Sequence, residues 1–240
     1  MTATARRVLW QIRRDPRTIA LLLGVPVGLL TLLRYVFDSQ PGIFQHVGAP
    51  MCGLFPFIIM FLITSIAMLR ERTSGTLERL MSLPLSKQAL LAGYALAFGL
   101  LAALQAAIVC TVGFTLLGLH AAHGAWLVGA LAVANALLGM ALGLFASAFA
   151  RTEFQAVQFM PAVVFPQLLL CGLFVPREAM AEPLQYVAYV FPLTYAFAAL
   201  SRATHPGLLG GAFVLDVAIV AGATLGALAL GAATLRRRTP

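Results

Sequence analysis

The sequence predicts an all-α integral membrane protein with six transmembrane helices. Three observations carry that prediction. Of 240 residues, 61% are hydrophobic and only 10% are charged, where a soluble domain carries about 25% charged residues. The charged residues gather at the ends of uncharged runs. Those runs are long enough for helices of about 20 residues, the length that crosses a hydrocarbon core of about 30 Å. The whole chain, 1–240, reads as one membrane domain.

The first span covers Thr18 to Phe37, with Arg34 near its end where it can snorkel to the headgroups. The second covers Pro50 to Leu69. From Gln88 to Ala150 the chain has 63 residues without Asp, Glu, Lys or Arg, room for two spans and a turn at Gly118 to Gly124. The fifth span covers Ala156 to Val175 and the sixth Gly211 to Leu235. Pro183 to Ser201 is also apolar, but it contains Pro183 and Pro192 and three of the five tyrosines. Prolines interrupt a helix and tyrosines favour the membrane interface. The segment 176–205 is therefore expected to form re-entrant or interfacial helices.

Charge fixes the expected orientation. With six spans, one side holds Arg6, Arg7, Arg13, Arg14, Arg17, Arg70, Arg72, Arg79, Lys87, Arg151, Arg236, Arg237 and Arg238, and the other only Arg34, Arg177 and Arg202. Lys and Arg accumulate on the cytoplasmic side, which places both termini inside. Acidic residues divide evenly, so the bias belongs to the cations alone. The net charge of +8 is thus a topology signal, and nucleic acid is not an expected partner. Arg6-Arg7 before an apolar run could mark an export signal, but no Ala-x-Ala-like cleavage site follows.

Residues 1–17 form their own element. Ala5, Val8, Leu9 and Ile12 share one helical face, and Arg6, Arg7, Arg13 and Arg14 lie off it. This pattern predicts an amphipathic helix on the inner membrane surface, ended by Asp15-Pro16. The loop 70–88 reads Arg-Glu-Arg-Thr-Ser-Gly-Thr-Leu-Glu-Arg-Leu-Met-Ser-Leu-Pro-Leu-Ser-Lys-Gln. Thr73-Ser74-Gly75 is a breaker, and Ser74 is a candidate N-cap for a short helix. That helix gathers Leu77, Leu80 and Met81 on one face and Glu78, Arg79 and Ser82 on the other, with Pro84 ending it. An apolar face beside paired charges suits a contact with a partner or the membrane. A plain loop of topogenic arginines is the alternative.

This loop resembles that of ABC type-2 exporter permeases, whose members share Arg-Glu-Arg, then Gly-Thr-Leu-Glu, then a proline. The likeness continues through Arg14-Asp15-Pro16 with Pro26, through Phe165-Pro166 and Cys171-Gly-Leu-Phe-Val-Pro176, and through Pro183-Leu184 and Pro192-Leu-Thr-Tyr195. It covers nearly the whole chain. Cys171 stands where the family more often has serine. The resemblance implies that the loop helix is a coupling helix docking into a cytoplasmic ABC ATPase subunit, through Arg70, Glu71, Arg72, Gly75, Thr76, Leu77, Glu78, Arg79, Leu80 and Pro84. It also implies a second permease subunit, identical or not, in the inner membrane of a prokaryote, with membrane lipid around both. An outer gate would then lie at Pro176, Pro183, Tyr186, Tyr189, Pro192 and Tyr195.

Nothing in the chain predicts catalysis. A Walker A loop needs a lysine after a glycine-rich run. The sole lysine, Lys87, follows Pro-Leu-Ser, so ATP and Mg are expected on the partner and no cofactor on this chain. Without charge inside the spans, an amphiphilic drug-like or lipid-like substrate is expected, since an ion pathway usually leaves buried charges. A lipid-linked polysaccharide is the alternative, followed by a non-transporting membrane protein. His120-x-x-His123 offers only two ligands, too few for a structural metal site. Cys52, Cys110 and Cys171 read as small buried hydrophobes. Glu178, Glu182 and Asp216 read as solvated loop or boundary carboxylates. Gln105 and Asn135 read as interhelical hydrogen-bonding groups. Gly139, Gly143 and Ser147 form one small-residue stripe and Gly222 and Gly226 another, each packing within or between chains.

Overall fold

A computed structural model describes residues 2–76 and 87–234, and among them the structure is all helical. The helices are α1 (Thr2–Arg13), α2 (Pro16–Val36), α3 (Pro41–Thr73), α4 (Lys87–Thr115), α5 (Ala125–Ala146) and α6 (Glu153–Leu170). A 3₁₀ turn (Arg177–Ala179) leads to α7 (Glu182–Val190), α8 (Pro192–Thr204) and α9 (Gly211–Ala233).

The boundaries follow local chemistry. Asp15 separates α1 from α2 by capping the latter, its carboxylate accepting from the Thr18 amide at 3.2 Å and the Thr18 hydroxyl at 2.6 Å. Pro16 stands in the first turn, where its missing N–H costs nothing. Pro183 and Pro192 likewise sit in the first turns of α7 and α8. They start helices here, and the break falls at Phe191, where the two helices meet at 90°.

Helices α2, α3, α5 and α9, and α4 from Ala92, are long and apolar enough to cross a bilayer. The expected fifth span differs. As α6 it is helical only over Glu153–Leu170, 18 residues in which Pro161, Pro166 and three glutamines interrupt the apolar run. It still bridges the two ends of the bundle. It leaves from a cluster of Leu69, Ala150 and Ala156, and the chain after it passes Gly172 against the ring of Phe197. Helix α3 begins at Pro41, not Pro50. Its 33 residues extend roughly 50 Å at 1.5 Å per residue, so it projects beyond the hydrocarbon layer.

The core is the contact of α3 with α5. Gly139 and Gly143 lie so close to α3 that a Cβ on either would collide with the carbonyl oxygens of Phe57 and Phe61. This stripe therefore packs within the chain. Gly222 and Gly226 meet nothing within 4 Å, so theirs is open among the described residues. Gln105 donates to the Leu22 carbonyl at 2.7 Å, tying α4 to α2.

Two further expectations are corrected, and a third runs out of the described residues. Ser74 caps the C-terminus of α3, donating its amide to the Arg70 carbonyl at 2.9 Å. Gly75 follows at φ +70° and turns the chain; Thr76 beyond it is helical again, and the rest of the expected loop helix lies outside the described residues. Asp216 is not solvated: it is buried on α9 and ion-paired with Arg202. The apolar face of α1 is covered by protein, not lipid. Ala5 and Val8 are buried in a cluster with Leu22, Met60 and Phe98, because the long α3 and α4 offer that face a closer apolar surface.

Candidate functional site

Contacts sort the bundle into two ends. One gathers α1, the start of α2, the last turn of α3, the first turns of α4, the start of α6 and Thr234 after α9. The other gathers Gln45, the 118–124 turn and the end of α8. There Gln45 donates to the Gly118 carbonyl at 2.7 Å and accepts from the His120 amide at 3.0 Å, and the Ala122 amide reaches Thr204 O at 3.3 Å. The described chain thus starts and finishes at the same end, the one rich in arginine.

At that end, three consecutive residues of α3 reach three directions. Successive residues are about 100° apart around a helix at 3.6 residues per turn. Arg70 forks onto Glu153 of α6, with Nε to Oε1 at 2.7 Å and Nη2 to Oε2 at 2.9 Å. Glu71 pairs with Arg7 of α1 at 3.2 Å. The Nη2 of Arg7 also donates to the hydroxyl of Tyr94 on α4 at 2.6 Å. Arg72 reaches the Thr234 hydroxyl at 3.4 Å. One turn of α3 is thereby tied to α1, α4, α6 and the residue after α9.

These contacts differ in strength. The Arg70–Glu153 fork is bidentate but exposed, so it stabilises by less than about 1 kcal/mol. The Arg70 guanidinium holds the Glu153 carboxyl below the usual carboxylate range. The hydrogen bonds from Thr18 do the same for Asp15. The Arg7–Glu71–Tyr94 group is more enclosed, with Tyr94 only 1% exposed and the Glu71 side chain 13% exposed. In such a setting each partner depends on the others for its lost hydration.

A cleft of about 940 Å³ opens beside this turn, between α1, α2 and α3. Its deeper wall is apolar, with Leu21, Val25, Ile59, Leu62 and Ile66, and its polar margin carries Asp15, Arg70, Glu71, Ser74 and Thr76. An apolar depth with a charged rim matches a molecule that has a tail and a head.

Of the residues expected at the coupling site, Arg70, Glu71, Arg72, Gly75 and Thr76 come together here, at the end of α3. Leu77, Glu78, Arg79, Leu80 and Pro84 lie outside the described residues. Sequence reasoning missed Arg7, Tyr94 and Glu153. A signal existed: only four acidic residues fall on the arginine-rich side, so Glu71 and Glu153 were available as partners. At the other end, Tyr186 and Tyr189 on α7 are exposed. Tyr195 donates to the Tyr189 carbonyl at 2.8 Å, and Arg177 lies over the Tyr189 ring at 5.7 Å. Pro176 precedes the 3₁₀ turn, and Pro183 and Pro192 open the two bent helices.

A bundle of apolar helices of membrane-spanning length, with its ion pairs near its two ends, belongs to the class of polytopic α-helical membrane proteins. Comparison with known proteins names the family: residues 1–203 match the family described as ABC-2 type transporter, and the chain belongs to it. It is 27% identical over 167 residues to ABC transporter G family member 20 of Dictyostelium discoideum, covering 69% of this chain and 23% of that protein. It is 29% identical over 136 residues to the probable multidrug ABC transporter permease YbhR of Escherichia coli K12, covering 57% of this chain and 37% of that one. With the probable multidrug permease YbhS of the same strain it shares 24% over 214 residues, 87% of this chain and 55% of the relative. The chain therefore spans between about a quarter and just over half the length of these relatives. It is a membrane permease domain of the ABC-2 type.

Proposed function

We propose that this chain is the membrane subunit of an ATP-driven exporter that moves amphiphilic drug-like or lipid-like compounds outward, powered by a separate ABC ATPase. The observation that carries the reading is the turn Arg70-Glu71-Arg72. Because it grips α1, α4, α6 and Thr234 at once, a push on the segment just beyond Gly75 reaches most of the bundle together. The coupling helix of Gly75 to Leu83 is the element that would receive that push from the ATPase. The charge-rimmed apolar cleft supports an amphiphilic substrate, as do the printed names of the two bacterial relatives. The placement of 13 of the 16 basic residues on one side supports cytoplasmic termini in a prokaryotic inner membrane. Two such permease chains act together, and the bent helices between Pro176 and His205 form the outer gate.

The test is Leu80→Asp. A charge placed in a docking contact costs several kcal/mol, roughly, after relaxation. The variant is expected to insert normally, to lose co-purification with the ATPase and to lose substrate-stimulated ATP hydrolysis. Glu78→Lys with Arg79→Glu should disturb the same recognition. If Leu80→Asp leaves both readouts unchanged, the segment is a charged loop and the coupling assignment falls.

A further inference from the structure

The chain has four histidines, and the fold brings all of them to the end opposite the arginine-rich one. His46 lies in the second turn of α3, His120 and His123 in the turn between α4 and α5, and His205 at the C-cap of α8. Nothing in the proposed transport reading uses them. The rings of His46 and His205, far apart in sequence, stand with centroids 6.1 Å apart at 70° to each other. Both residues are exposed.

The tautomer of His205 is fixed by its neighbours. Its Nδ1 lies 2.8 Å from the Ser201 carbonyl oxygen. A carbonyl only accepts, so Nδ1 carries the proton, and in the neutral ring Nε2 presents a lone pair. A backbone carbonyl holding the second ring nitrogen is how metal-binding histidines are oriented. His123 is held in the same way, its Nδ1 3.2 Å from the Ala203 carbonyl. The end of a helix also concentrates partial negative charge, which favours a cation. The nearest fixed cation on that helix, Arg202, is neutralised by Asp216. Two imidazoles sharing one tetrahedral ion have ring centres roughly 5–5.5 Å apart, given metal–nitrogen bonds of about 2.1 Å. The observed spacing of 6.1 Å is within about 1 Å of that range, so a rotation of the exposed His46 side chain closes the pair while His205 keeps its hydrogen bond.

We propose that His46 and His205 form a two-histidine site for a divalent transition-metal ion (Zn²⁺, Ni²⁺ or Cu²⁺), with water in the remaining positions. Among the described residues no three histidine, cysteine or acidic side chains lie together, so this is an open, exchangeable site and not a structural one. An ion held there ties the start of α3 to the end of the bent α7–α8 segment. The chemistry is independent of whether the chain exports anything.

The test uses the full chain, purified without a histidine tag in detergent. Zn²⁺ is titrated by calorimetry, and Cu²⁺ is read by electron paramagnetic resonance. One saturable ion per chain is expected, with hyperfine splitting from imidazole nitrogen. Binding and splitting should be lost in His46→Ala and in His205→Ala and kept in His120→Ala. His46→Gln and His205→Gln repeat the measurement if an alanine variant melts early without metal. No saturable binding, binding that survives loss of His205, or a thiolate spectrum from the buried cysteines would each overturn the site.

Discussion

The two ends of this bundle are held by different chemistry. At the arginine-rich end, side-chain ion pairs and hydrogen bonds fasten helices distant in sequence, and all of them converge on one turn of α3. At the other end the ties are mainly hydrogen bonds to backbone around a turn and a helix end, plus the Arg202–Asp216 pair between α8 and α9. Converging charge pairs make the first end move as a unit. The second end also joins segments more than 70 positions apart, but through single hydrogen bonds to backbone groups. On the proposed transport reading, the first end is the handle that is driven and the second is the mouth.

The comparison assumes that α3 carries movement from one end to the other, which depends on its contact with α5. Gly139→Ala should break that contact. Its Cβ meets the Phe57 backbone rather than a flexible side chain, so relief requires a shift of the helix. Overpacking of this kind costs about 1–3 kcal/mol and sometimes more. A clear fall in melting temperature in detergent is expected. Gly222→Ala should leave melting unchanged or raise it slightly, since nothing lies near its Cβ and alanine is the better helix former.

Removing the anion from the enclosed group at the rigid end should come next in size. Glu71→Ala leaves Arg7, with its side chain 30% exposed, without its carboxylate. A loss of about 1–3 kcal/mol is expected, with Glu71→Gln milder because it keeps a hydrogen-bond acceptor. Thermal unfolding of the two variants side by side checks the order. Equal, negligible effects would mean that this end is not rigidly tied.

The exposed fork should matter least. Arg70→Ala is expected to cost less than about 1 kcal/mol, and a melting curve at low and high salt should show the difference shrinking as salt screens the pair. The pH dependence has a definite sign. The folded Glu153 carboxyl titrates below its unfolded value, so its contribution is fully present above about pH 5, given an unfolded value near 4.3. It is lost as pH falls through the lower, folded value. Wild type and Glu153→Gln should therefore differ slightly at neutral pH and converge in acid.

Much of this was legible in the chain. Uncharged runs and their flanking arginines reveal an all-helical membrane protein, because only helices or closed barrels satisfy a backbone in lipid. Arg70, Glu71 and Arg72 stood out through the motif they stand in, and the structure places them together in the last turn of α3. Their partners were not. Arg7 reads as one of several topogenic arginines, and Tyr94 as one aromatic in an apolar run. Pairs separated by more than 80 positions, such as Arg70 with Glu153, leave no periodic trace in a single sequence.

The two glycine stripes mark the same boundary. Both repeat a small residue every fourth position, so sequence alone determined that two helices could each present a smooth face. Only the tertiary structure decided that Gly139 and Gly143 are pressed against the backbone of α3 while Gly222 and Gly226 remain open. Periodicity fixes which residues share a face of a helix, since that follows from the geometry of a single helix. Which face meets which neighbour depends on how all the helices pack together, and that also decides where the histidines gather and which partner each arginine finds.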